Sequence, residues 1–314
     1  MTVHHSLWSE IRRNRNAYLF IAPFYIVFLT FMIFPIGFSL FLSLFRWNGI
    51  MAPRFVGLLH YQRALSDDGL LNALINTAVF TALTVGLSSV IGIVLAVFLN
   101  SVKFLKRFYR GVFFVPAIVS LVVVSLVWKL ILNSEVGLVH ESLSAFGRAL
   151  GPLLGYVPEW TQVRHHFLDN QNRLVPLLTI TFVNVWGVVG FNTVIYLAGL
   201  QGIPAHLYEA SRIDGATPLQ DFFHITLPLL RPTVFFVVLI SMIDAMQVFV
   251  LPAVMNRNAE STMTIVYYLF RNAFEFYKMG YASAIAYLLF GITVVLGISL
   301  RLTLGRNTRW AAEE

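Results

Sequence analysis

Long uncharged stretches dominate the chain. No Asp, Glu, Lys or Arg occurs between Arg15 and Arg46, Asp68 and Lys103, Arg110 and Lys129, Arg173 and Glu209, or Lys278 and Arg301. The stretch from Pro232 to about Val254 holds a single charge, Asp244. A membrane-spanning helix needs about 20 mostly apolar residues. The pattern therefore predicts six spans, at about 17–45, 72–100, 111–132, 174–200, 232–254 and 280–304. None shows the alternation of a barrel strand, so all are read as helices. In the first span Pro23, Pro35 and Gly37 predict a kink, because neighbouring helices can re-satisfy the freed carbonyls. The predicted fold is all-α, a polytopic membrane bundle of six transmembrane helices forming a single domain over 1–314.

Composition narrows the class. Of 314 residues, 58% are hydrophobic and 12% charged, whereas about 25% are charged in soluble domains. A soluble enzyme is excluded on that ground. The high apolar content with 28 Phe excludes disorder, and the absence of Cys excludes a disulfide scaffold while leaving the redox compartment open. The net charge of +7 is not a nucleic-acid signal, because the charges lie in short runs between apolar stretches, as topology signals do. Lys103, Lys106, Arg107 and Arg110 form one run without an acid; Arg12, Arg13 and Arg15 precede the first span, and Arg301, Arg306 and Arg309 close the chain. By the positive-inside rule both termini and the segment 201–231 are cytoplasmic, and 46–71, 129–173 and 255–279 lie outside. The first apolar stretch lacks a small-residue cleavage site and reads as a retained span.

The segment 129–173 reads as an external cap with short helices that either meets a partner or seals the outer mouth. It contains His165-His166, a weak metal signal without nearby Cys or a spaced carboxylate; no metal site is expected. Trp47, Trp128 and Trp310 fall near span ends, where interfacial anchoring is the default. His206 and His224 read as packing or surface residues.

The segment from Ile203 to Pro232 predicts a helix, a break and a second helix. Pro204 suits a first turn, and Leu207, Ala210, Ser211 and Asp214 keep helical spacing. Gly215 is a stop, Thr217-Pro218 a fresh N-cap and first turn, and Asp221 falls near the positive helix start. Leu219, Phe222, Phe223 and Ile225 make an apolar face, and Pro228 and Pro232 bend the chain back toward the membrane. Physics alone leaves two readings: an amphipathic connector on the bilayer surface, or a docking element for a cytoplasmic partner.

Glu209-Ala210-Ser211, Gly215 six residues after Glu209, and Ile225-x-Leu227-Pro228 resemble the EAA loop of binding-protein-dependent ABC importer permeases. Ser211 stands where Ala is usual, a small-for-small change. Phe55-Val56-Gly57-Leu58 with Tyr61, Asn72-Ala73-Leu74-Ile75-Asn76-Thr77, Met279-Gly280-Tyr281-Ala282-Ser283-Ala284, and Tyr25 with Phe34-Pro35-Ile36 extend the likeness to the carbohydrate-type permeases, in the branch of the maltose-permease F-subunit and the glycerol-phosphate-permease A-subunit. The resemblance implies a type I importer fold in a bacterial or archaeal cytoplasmic membrane. It implies two ATP-binding cassette subunits, a second permease chain (a heterodimer is favoured) and an extracytoplasmic solute-binding protein. It also implies that Glu209, Ala210, Ser211, Asp214, Gly215, Phe222, Phe223, Ile225, Leu227 and Pro228 form the element that meets the ATPase, with Glu209 as polar anchor. Phe222 and Phe223 either fill an apolar part of the ATPase cleft or contact the chain's own span ends. No Walker-type Gly-rich Lys motif occurs, so ATP and Mg are expected on the partner subunits, this chain binds no cofactor, and it is not itself an enzyme.

Asp244 is the unusual residue of the spans. An ionisable group at the bilayer centre costs about 2.5–3.5 kcal/mol on insertion scales and usually faces the bundle interior. Gln247, three residues on, shares its helical face. Together they offer the acceptors and donors that sugar hydroxyls need. By resemblance to the maltose permease, polar sugar contacts align with Asp244 and Gln247, and a ring-stacking aromatic aligns near Phe191. The aligned residue types differ, so the sugar is not carried over. An interhelical hydrogen bond is the alternative role for Asp244. Asn184, Asn192 and Tyr196 of the fourth span either line the path or bind helices together, and Gly187, Gly190 and Gly199 allow close packing. Two other functions stand beside sugar import: the same ABC role for another solute, and an ion-coupled secondary transporter, which would need inverted repeats and buried relays.

Overall fold

A computed structural model describes residues 14–101, 106–154, 167–168, 172–257 and 259–304. The order of elements follows the apolar pattern. Helix α1 is Arg15–Ser43; a short hairpin follows, β1 (Phe45–Arg46) and β2 (Arg54–Phe55), then α2 (Leu59–Ala64) and α3 (Asp68–Ser101). Next come α4 (Lys106–Ile118), α5 (Leu121–Ile131), α6 (Leu138–Leu154) and α7 (Leu174–Gln201). Helix α8 (Ala205–Ile213) and the composite α9 (218–229) form the segment between spans. The chain ends with α10 (Arg231–Met246), α11 (Val250–Met255), α12 (Ile265–Phe270) and α13 (Met279–Leu304). Five of the described helical stretches are long and apolar enough to cross a membrane, and the bent pair α4–α5 is a sixth if counted as one span.

The described chain falls into two compact units: residues 1–66 with 269–288, and 67–268 with 289–314. In the first unit, α1 runs unbroken past both prolines. The expected kink takes the form of a π turn at Leu29–Ile33, whose wider ring has the Phe34 N–H donating to the Leu29 carbonyl. It lies just before Pro35, which has no N–H to give and crowds the preceding turn. The hairpin pairs Phe45 with Phe55 and Arg46 with Arg54 in antiparallel register. His60 of α2 donates from Nε2 to the Phe45 carbonyl at 3.1 Å, and Tyr61 donates to Ser43 Oγ at 2.9 Å. Gly280 sits so close to the Phe45 carbonyl that a Cβ there would overlap it. The Met279–Ala284 and Phe55–Tyr61 motifs thus meet around one hairpin.

In the second unit α3 and α7 pack along each other, and their inward faces are the reverse of a soluble helix. The buried positions of α3 include Thr77, Thr81, Thr84, Ser88, Ser89 and Gly92, while Leu87, Val90, Val94 and Phe98 are exposed. Lipid tails are as apolar as Leu, so burying large side chains gains little. Small residues let backbones approach and their hydroxyls bond across helices. Asn76 and Thr77 pin the chain between α11 and α12. Asn76 Nδ2 donates to the carbonyls of Glu260 (2.9 Å) and Met263 (3.0 Å), and Thr77 Oγ1 accepts from the Ile265 N–H (2.9 Å).

Two predicted spans differ from the structure. The span expected at 111–132 is two helices bent by 100° between Ile118 and Leu121. Pro116 removes a donor from the last turn of α4, and Ser120 is extended at φ −54, ψ 128. The span expected at 232–254 is interrupted between Met246 and Val250, where the freed Val248 carbonyl accepts from Thr264 Oγ1 at 2.8 Å. Helix α6 supplies a helix within the expected external cap. His165-His166 and Trp310 lie outside the described residues. Trp128 packs edge-on against Phe182 and Trp186 rather than standing alone as an anchor.

Candidate functional site

Both candidate regions lie within the second unit. The first is the α8–α9 segment, and its shape follows from its backbone. Pro204 is the N-cap of α8 rather than a first-turn residue. At the other end Gly215 adopts φ +79. Its N–H donates to Arg212 O (3.2 Å) and the Ala216 N–H to Ser211 O (2.9 Å), a Schellman closure that an L side chain at Gly215 would strain. Thr217 then caps α9 in a reciprocal capping box. The Gln220 N–H donates to Thr217 Oγ1, and the Thr217 N–H donates to Gln220 Oε1 at 2.7 Å. The helix continues through a π turn at Phe222–Thr226 into Leu227–Leu229.

Side chains then lock the two helices together. Ser211 Oγ donates to Asp221 Oδ1 at 2.7 Å, and a 2.9 Å hydrogen bond joins the hydroxyls of Tyr208 and Thr226. The substitution at Ser211 is therefore more than small-for-small: the hydroxyl makes a bond that Ala could not. Glu209, Ala210, Asp214 and Gly215 are exposed; Ile225, Leu227 and Pro228 are half-buried. Phe222 is half-buried and edge-on to Phe223 at 5.1 Å, and Phe223 is 54% exposed. With Leu219 and Ile213, Phe223 gives the segment exposed apolar tips beside an exposed carboxylate at Glu209.

The second region is a cavity of about 610 Å³. Asp244 and Gln247 line it from α10 and its C-cap, Asn184, Phe191 and Asn192 from α7, Pro116 and Ala117 from α4, and Thr84 from α3. Asp244 and Gln247 are exposed, and among the described residues neither side chain makes a hydrogen bond. The interhelical-bond reading of Asp244 thus finds no partner among the described residues. Phe191 presents a ring that is 44% exposed.

Asn192 touches the cavity but spends its amide on the bundle: Nδ2 donates to Ser88 Oγ (3.1 Å) and Ser241 Oγ (3.2 Å), tying α7 to α3 and α10. Tyr196 is not on the cavity. One turn further along α7 the interface with α3 closes, and Tyr196 is fully buried there with its ring against Gly92. Gly190 lets α4 approach, since a Cβ would overlap the Phe113 carbonyl. Gly187 has open space where a Cβ would be and lines the cavity. Sequence reasoning missed the walls from Phe114, Pro116, Ala117, Phe249 and Val250, which follow from the bend after α4 and the break after α10. Pro116 was the available signal for the first. No cluster of metal-ligating side chains occurs among the described residues.

Comparison with known proteins gives the family. The family described as "Binding-protein-dependent transport system inner membrane component" matches residues 88–306, which include the α8–α9 segment and the Asp244 cavity wall. The chain is 34% identical to YurN, a probable ABC transporter permease protein of Bacillus subtilis (strain 168), covering 91% of this chain and 93% of that one. It is 33% identical to the arabinooligosaccharides transport system permease protein AraP of the same organism, covering 94% and 91%. A solved bacterial ABC transporter for import of the acidic polysaccharide alginate has a chain of the same fold, with TM-score 0.80, 23% identity, and coverage of 96% of this chain and 99% of that one. This multi-pass chain belongs to the binding-protein-dependent transport system inner membrane components, the permeases of ABC importers.

Proposed function

We propose that the chain is one half of the membrane pathway of an ATP-driven importer whose cargo is a sugar or sugar derivative. The observation that carries the reading is one cavity lined by Asp244 and Gln247, whose side chains make no hydrogen bond among the described residues, and by the exposed ring of Phe191. A carboxylate and an amide offer acceptors and donors for hydroxyl groups, and an aromatic face suits the apolar face of a sugar ring. The role of the relative AraP in arabinooligosaccharide transport supports the same cargo class.

In this reading a solute-binding protein delivers cargo from outside a bacterial or archaeal cytoplasmic membrane, and a second, different permease chain completes the path. Two ATP-binding cassette subunits hold ATP and Mg and receive the α8–α9 segment. Glu209 supplies the polar contact and Phe223 an apolar one, while the Gly215 closure and the Ser211–Asp221 bond make the segment a stiff lever. A lever transmits ATPase closure only if its two arms do not flex against each other.

The test is ATP-dependent uptake into vesicles carrying the assembled transporter and its binding protein. Labelled oligosaccharides are expected to accumulate, and Asp244→Ala to cut accumulation about tenfold to hundredfold with assembly intact. Uptake of amino acids, polyamines or phosphate in place of sugars would overturn the cargo assignment.

A further inference from the structure

The hairpin of the first unit holds a charge arrangement that invites a counter-ion. Arg46 and Arg54 stand directly opposite each other in the β1–β2 ladder, and like charges so placed are destabilising. Both line a cavity of about 620 Å³ together with Arg63 and Lys278, and among the described residues no acidic side chain lines it. Among the described residues none of these four cations forms a salt bridge. Arg63 lies 5.1 Å from the Tyr281 ring centroid and Lys278 Nζ 5.3 Å from that of Phe276, contacts that leave the positive charge uncompensated.

The wall that presents the arginines is braced. Asn48 Oδ1 accepts from the N–H groups of Ile50 (3.1 Å) and Met51 (2.9 Å), and Gly49 turns the chain at φ +87. Behind the ladder the Phe45 carbonyl is held by His60 and backed by Gly280. The two guanidinium groups are thus carried on a fixed hairpin, and guanidinium is the group that meets phosphate oxygens through paired hydrogen bonds.

We infer that this cavity holds the phosphate of an anionic phospholipid. Its place and its surroundings choose a lipid over a soluble anion. The first span ends at Ser43, immediately before the hairpin, so the cavity stands at a span end, where headgroups lie. Trp47 and Tyr277 line it, and such amphipathic aromatics belong at headgroup level. Ile50 and Met51, on the hairpin turn beside the arginines, are 85% and 72% exposed and offer apolar surface to acyl chains. Clustered basic residues attract anionic headgroups on this outer face by the same charge attraction that acts at the anionic cytoplasmic surface. The site is independent of which solute the transporter carries.

The experiment is native mass spectrometry of the purified, assembled transporter, titrated with phosphatidylglycerol or phosphatidylethanolamine, with inorganic phosphate as competitor. Phosphatidylglycerol is expected to be retained in preference to phosphatidylethanolamine, and inorganic phosphate is expected not to displace it. The double variant Arg46→Gln with Arg54→Gln is expected to weaken retention about thirtyfold, two cations at about 1 kcal/mol each. Arg148→Gln, a charge change at a residue that is not part of the cavity lining, is expected to leave it unchanged. Should the double variant fail to assemble, Lys278→Gln is expected to weaken retention about fivefold. Equal retention of both lipids, or retention unmoved by these variants, would overturn the inference. Displacement by inorganic phosphate would assign the cavity to a soluble anion and overturn the lipid assignment.

Discussion

The α8–α9 segment and the Asp244 cavity are built in opposite ways. The segment is local: a Schellman closure at Gly215, a capping box at Thr217, and the Ser211–Asp221 and Tyr208–Thr226 bonds between its arms. The cavity is tertiary: its lining comes from α3, α4, α5, α7, α10 and the start of α11, and from the two interruptions of helical geometry between them. A local element is tuned by backbone rules, whereas a cavity is tuned by whichever side chains remain unspent after packing. Asn192 and Asp244 show the second point. Both touch the cavity, but Asn192 gives its amide to Ser88 and Ser241, and Asp244 keeps its carboxylate open.

Changes in the two regions should therefore fail differently. The largest effect is expected from Asp244→Ala. Loss of hydrogen bonds from a charged group is worth about 1.5–3 kcal/mol, so uptake should fall about tenfold to hundredfold, while ATPase subunits still co-purify. Loss of assembly instead would make Asp244 a packing residue. Next is Gly215→Val. A β-branched residue held at positive φ costs on the order of 1–3 kcal/mol, so cargo-stimulated ATP hydrolysis should collapse while cargo binding to the isolated solute-binding protein is unchanged. Normal stimulation in this variant would show that the turn need not be rigid. Ser211→Ala should have a smaller effect of the same kind, about 1 kcal/mol from one hydrogen bond, read as a partial loss of coupled hydrolysis. An Asp221→Ala change combined with it should add little, because both remove the same bond.

The smallest effect is expected in the first unit, outside both regions. Burial lowers the affinity of His60 for a proton below its ordinary value, Arg46 and Arg63 lower it further, and the bond to the Phe45 carbonyl partly opposes them. The unfolded chain therefore takes up a proton near pH 6.5 where the folded chain does not. Stability should be undiminished above that pH and decline as pH falls through about 6.5. A thermal melt series from pH 7.5 to 5.5 should show this decline, and His60→Gln should reduce it. An unchanged slope would remove His60 from the pH response.

What the sequence made legible follows the same division. Pro204, Gly215 and Thr217-Pro218 predict the helix, stop and restart because each acts within a turn of itself. The uncharged stretches locate the spans because lipid accepts little else. The bend between Ile118 and Leu121 and the break after Met246 were not legible as such. A wide apolar run tolerates interruption wherever neighbours re-satisfy the backbone, as Thr264 does for Val248. Tyr196 was placed with Asn192 on one helical face, correctly for spacing. Spacing does not say where the α3 interface closes, and Gly92 closes it there. Ser211 looked like a conservative change until Asp221, ten residues on, was folded back against it.

The most direct test of the account is affinity purification of this chain from its native membrane, with mass spectrometry of the proteins that accompany it. An ATP-binding cassette protein and a second six-span permease are expected in stable association, with a solute-binding protein captured in the presence of cargo. Recovery of this chain alone, at good yield from a mild detergent, would contradict it and return the α8–α9 segment to the status of a bilayer-surface connector.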